Sequence, residues 1–81
     1  MRLTEIEDRL LDILSKVLLL EKHEISDELK RKDFEPWDSM AHFIIVSELE
    51  NEFEIFFEDE EVVDIWSVGD LKALLRKKLS P

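Results

Sequence analysis

A chain of 81 residues with one glycine, two prolines and no cysteine has few ways to reverse direction tightly. A β-sandwich or barrel needs a turn about every 8–12 residues, built from residues that accept turn dihedral angles. Helices need only caps and connectors, so the scarcity points to an all-α fold. The length allows one domain, residues 1–81, with no room for a large buried active site assembled from several elements. At 44% apolar, with two Trp and five Phe, the chain carries too much to bury for a disordered acidic tail. The lack of cysteine excludes disulfides, zinc thiolates, iron–sulfur clusters and thiol nucleophiles.

Helical spacing appears in three places. Thr4-Glu5-Ile6-Glu7 has the form of a capping box, and Ile6, Leu10, Ile13, Leu14, Val17 and Leu18 make one apolar stripe through about Leu20. Between Glu21 and Trp37 the periodicity fades and charges of both signs crowd together. One long loop is expected there, with a single turn at Ser26 and with Ile25 and Leu29 pinning it to the core. Asp38 follows Pro36-Trp37 as the N-cap of a second helix running to about Phe53. Its core stripe is His42, Ile45, Val46, Leu49 and Phe53. Met40 and Ile44, with Phe43 beside them, point elsewhere and are either packing or a contact surface. Glu58 to Ile65 fits one or two helical turns. Phe53, Ile55 and Phe57 alternate like a strand, but the chain offers that segment no partner strand. Ser67-Val68-Gly69-Asp70 opens a last helix that turns Leu71, Leu74, Leu75 and Leu79 inward. The expected architecture is a small four-helix bundle: three main helices, a short third one, and a long loop after the first.

The net charge of −10 is local. Residues 48–64 hold nine carboxylates and no base, whereas residues 65–81 carry one acid against four bases. Such acidity argues against phosphate backbones and anionic membranes, and favours a partner with a basic surface. The apolar runs Val17–Leu20 and Phe43–Val46 fall far short of the roughly 20 residues that cross a bilayer. Met1-Arg2-Leu3-Thr4-Glu5 turns acidic at once, unlike a signal peptide, so a cytoplasmic location is expected; the chain is separately expected to be a monomer.

Asp38, Ser39 and His42 supply the residue types of a hydrolase triad, but not its setting. Ser39 lies between Asp38 and Met40 rather than small residues, and His42 is directed by the core stripe. His23 is a loop histidine with no evident role. Glu58-Asp59-Glu60-Glu61 lacks the glycine turn of a calcium loop. What remains for Ser39 is to accept a modification.

Trp37-Asp38-Ser39-Met40 resembles the Asp-Ser-Leu motif of acyl and peptidyl carrier proteins. Leu49-Glu50-Asn51-Glu52-Phe53-Glu54-Ile55 resembles that family's Leu-Glu-Glu-Glu-Phe-Asp-Ile, and Val68-Gly69-Asp70-Leu71 its Val-Gly-Asp-Leu, with no insertion needed between the blocks. The resemblance covers almost the whole chain. It implies a four-helix bundle of the acyl-carrier type that is not itself an enzyme. It also implies 4′-phosphopantetheine on Ser39, attached by a phosphopantetheinyl transferase. The arm's thiol would carry acyl or aminoacyl groups as thioesters from an activating ligase to a downstream acyltransferase or synthase. Met40 replaces the usual Leu, Trp37 stands where many fatty-acid carriers have a small residue, and Ile44 where they often have an acid. The Trp-Asp-Ser-x-x-His pattern therefore looks more like stand-alone carriers. Partner recognition is expected at Phe43, Ile44, Glu48, Asn51, Glu52, Glu58, Glu60 and Glu61. The competing expectation is a noncatalytic acidic interaction protein, a degenerate carrier or an occupant of a basic cleft.

Overall fold

Four α-helices build the chain in the computed structural model, which describes residues 2–79. They are α1 (Leu3–Leu18), α2 (Ser39–Phe53), α3 (Asp59–Val63) and α4 (Val68–Leu79). No strand occurs among the described residues, and the one bridge pairs Lys30 with Ser67. The protein is thus an all-α bundle with a short third helix and a long connection after the first.

Helix α1 packs against both α2 and α4, and its stripe supplies Ile6, Leu10, Ile13, Leu14 and Leu18 to the core, with Val17 half-buried beside them. Its start differs from the Thr4 capping box. The helix opens at Leu3, with Arg2 as N-cap and no side-chain cap. Glu7, the acid of that box, instead meets Arg76 at 2.7 Å and Lys72 at 3.7 Å, so its carboxylate ties α1 to α4. The helix also ends earlier than Leu20. Leu19 takes a left-handed conformation (φ 57°) and its N–H closes onto the Ser15 carbonyl, a C-cap formed without glycine.

The 21–37 connection is more ordered than one loop with one turn. Leu29 N–H does donate to the Ser26 carbonyl at 3.1 Å, but 3₁₀ turns also form at Lys22–Glu24 and Arg31–Asp33. Ile25 is buried, while Leu29 and Phe34 pack partly buried against the core. Three backbone hydrogen bonds staple the connection to the start of α4: Gly69 N–H to Asp27 O, Val68 N–H to Leu29 O, and Arg31 N–H to Trp66 O, at 2.9–3.1 Å.

Helix α2 starts where Asp38 accepts from Ala41 N–H at 2.9 Å, and it buries His42, Ile45, Val46, Leu49 and Phe53 together with Ala41. Glu54 ends it in a left-handed conformation. The following segment makes no strand; Phe57 is buried and its N–H donates to the Glu50 carboxylate at 2.9 Å. Ser67 and Asp70 form the expected reciprocal cap of α4, whose Leu71 and Leu75 are buried and whose Leu74 and Leu79 pack half-buried.

Candidate functional site

Ser39 is the first residue of α2, and its side chain is exposed. A turn at Glu35-Pro36, closed by Trp37 N–H on the Phe34 carbonyl at 3.0 Å, leads into an extended Asp38 that opens the helix. Of the first-turn amides, His42 N–H reaches the Asp38 carbonyl and Ala41 N–H the Asp38 carboxylate. The amides of Ser39 and Met40 are left without an intrahelical acceptor, as at any helix start. The motif residues divide by depth: Trp37 is buried, while Asp38, Ser39 and Met40 lie at the surface.

His42 is one turn away but is not turned toward Ser39's chemistry. Trp37 Nε1–H donates to its Nδ1 at 3.0 Å, and Nε2 faces the Val62 carbonyl at 3.0 Å. Both ring nitrogens are occupied. Burial pushes the imidazole pKa below its ordinary value, with the Arg31 charge acting the same way and the Val62 contact opposing them.

Two open clefts flank Ser39. On one side a cleft of about 310 Å³ lies between α2 and the α3 segment, lined by Phe43, Val46, Phe56 and Val62, with the carboxylates of Glu50 and Asp59. On the other, a cleft of about 410 Å³ is lined by Arg31, Lys32, Trp37, Asp38 and Trp66. The first is apolar and acidic, the second cationic and aromatic.

The residues expected to read a partner fall into two groups. Met40 (73% exposed), Phe43 (71%) and Ile44 (41%) lie outside the core, so the packing alternative for them does not hold. Asn51 is also exposed. The carboxylates are partly engaged: Glu48 meets Lys16, and Glu52 meets Arg9 at 3.0 Å, both on α1. Glu58 and Glu61 form the capping box of α3, and Glu61 also meets Lys78 at 2.8 Å. Lys78 holds the Glu61 carboxyl below the usual carboxylate range. Glu60 is exposed and, among the described residues, has no ion-pair partner.

The Arg31–Trp66 wall of the second cleft has no counterpart among the expected site residues. Its signal is the consecutive Lys30-Arg31-Lys32 in an acidic chain, which blends into the mixed charges around it. No protein-family model matches the chain, and no curated protein is significantly similar to it.

Proposed function

We propose that this protein is an acyl or aminoacyl carrier whose Ser39 bears 4′-phosphopantetheine. The observation that carries the reading is the placement of Ser39: an exposed hydroxyl on the first residue of a capped helix, opening onto two clefts. The residues present fit the group. Free first-turn amides and the positive end of the α2 dipole favour a phosphodiester there, and Arg31 and Lys32 add cations in the same cleft. The Leu49–Ile55 block closes α2, and the Val68–Leu71 block opens α4. When attached, the arm supplies a terminal thiol for thioester chemistry, which a chain without cysteine lacks.

The chain's own residues then present and position. Asp38 holds the turn, Trp37 and His42 fix its buried side, and Ser39 offers an ordinary hydroxyl. With both His42 nitrogens taken, this reading assigns activation of that hydroxyl to a separate phosphopantetheinyl transferase with Mg²⁺. Phe43, Ile44 and Met40 form an apolar contact patch on α2 for the activating ligase and the downstream acyltransferase or synthase. Glu54, Asp59, Glu60 and Asp64, exposed and without ion-pair partners among the described residues, suit basic surfaces on those enzymes.

Intact-mass measurement after incubation with a transferase, Mg²⁺ and coenzyme A tests the reading. The wild-type chain is expected to gain one phosphopantetheinyl group and Ser39→Ala none. No gain, or a gain that survives Ser39→Ala, overturns it; stable co-purification with one basic partner, insensitive to Ser39→Ala, then favours a noncatalytic interaction protein.

A further inference from the structure

Eleven Lys and Arg face 21 Asp and Glu in this chain, so a cation without a carboxylate partner stands out. Among the described residues Arg9, Lys16, Lys22, Lys72, Arg76 and Lys78 each meet a carboxylate. Of the five that form no ion pair there, Arg2 and Lys77 stand alone, whereas Lys30, Arg31 and Lys32 are consecutive and mutually repelling. Nor is the triplet on a loose loop. The staple to α4 holds it, with Arg31 N–H on the Trp66 carbonyl at 2.9 Å and Lys30 bridged to Ser67.

The Arg31 guanidinium lies over the Trp66 ring, 4.3 Å from its centroid, and Nη2 reaches the Val63 carbonyl at 3.4 Å. Trp66 is 54% exposed, so its indole forms a surface plate rather than core filling. Arg31, Lys32 and Trp66 line the same cleft as Ser39. The one carboxylate in that cleft, Asp38, is turned onto Ala41 N–H. The opposite cleft carries Glu50 and Asp59, and repels an anion.

We propose that the Arg31–Lys32–Trp66 cleft seats the proximal part of the group on Ser39: the phosphodiester against Arg31 and Lys32, and the first amide-bearing stretch of the arm across the Trp66 indole. This rests on the carrier reading and adds a direction to it. The arm leaves Ser39 toward the Arg31–Asp33 turn and away from Phe43 and Phe56. The fixed cations lose their mutual repulsion when the anion arrives, and the exposed indole gains a covering.

The test compares ¹⁵N-labelled apo and transferase-loaded protein, with loading verified by intact mass. Expected is a shift of the Trp66 indole N–H resonance on loading, assigned with Trp66→Phe. That shift is lost in the Arg31→Gln/Lys32→Gln variant while the mass gain persists. Lys32→Gln alone, on an exposed side chain, is expected to reduce the shift with folding intact. A loaded wild type whose Trp66 indole stays in place while Val46 and Phe56 move overturns this inference and leaves the carrier reading standing. A shift that persists in the double variant also overturns it. Absence of any mass gain overturns both.

Discussion

Trp37 and His42 are joined by a hydrogen bond in which the indole Nε1–H donates to Nδ1 at 3.0 Å, with the rings tilted by 35°. An indole only donates, so Nδ1 accepts and the imidazole proton sits on Nε2, which donates to the Val62 carbonyl. One neutral ring, 4% exposed, therefore joins the long connection, α2 and α3.

Protonating Nδ1 would set one donor against another, adding to the burial that lowers this pKa. The folded pKa lies below the unfolded value near 6.5, so His42's contribution to stability is complete above that value. It declines as pH falls below 6.5 toward the lowered folded value, because only the unfolded chain takes up the proton. NMR titration is expected to show the Nε2–H tautomer at pH 7 and a midpoint below 6.5. A midpoint at or above 6.5 would contradict the buried, doubly bonded ring.

Asp38 is the side chain that caps α2. Asp38→Ala is expected to lower stability by about 1 kcal/mol, and Asp38→Asn by less, since asparagine is also a good N-cap. Urea denaturation reads both. Ser39→Ala, at an exposed position, should stay within about 0.5 kcal/mol of wild type.

The apolar patch on α2 makes the opposite kind of claim. Phe43→Ser and Ile44→Glu alter exposed side chains, so the urea midpoint should move by no more than about 0.5 kcal/mol of stability. Under the proposed carrier role, loading by an activating ligase should fall. Unchanged loading kinetics on an intact fold would remove the patch from the recognition surface.

The acidic stretch is balanced only in part. Glu48, Glu52 and Glu61 have cationic partners, whereas Asp59, Glu60 and Asp64 cluster around α3 without one among the described residues. The thermal midpoint should rise with added salt or Mg²⁺ as this repulsion is screened. Lys78→Gln, which removes the cation beside Glu61, should lower the midpoint at low salt and steepen the rise. A flat response in both proteins would mean that the face is already neutralised.

The stapled connection predicts a protection pattern. The amides of Arg31, Val68 and Gly69 donate to backbone carbonyls across it, so they should exchange with solvent more slowly than those of the exposed Glu35 region. Equal rates would mean that the connection opens independently of the bundle.

What was legible in the residues follows from which groups compete. Asp38, Ser67 and Asp70 read correctly as caps because, among the described residues, neither carboxylate is drawn into an ion pair and each accepts from its own helix start. Thr4–Glu7 misread because Arg76 and Lys72, about 65 residues away in sequence, claim Glu7. The boxes built on Glu21/Glu24 and Glu58/Glu61 have the same spacing but start from glutamate, a poorer cap type, so neither marks a helix start by itself. Left-handed Leu19 and Glu54 gave no glycine signal for the ends of α1 and α2. Ser39 was legible as the start of α2 because Asp38, directly before it, is a good N-cap type. The Arg31–Trp66 wall was not, because it joins residues 35 positions apart through the staple.

Helix α3 is five residues long and is anchored near its C-terminal end, where the Val62 carbonyl meets His42. Phe56, just before it, walls one cleft at Ser39, and Trp66, just after it, walls the other. The segment that carries both aromatic walls is therefore tied to α2 through one buried histidine.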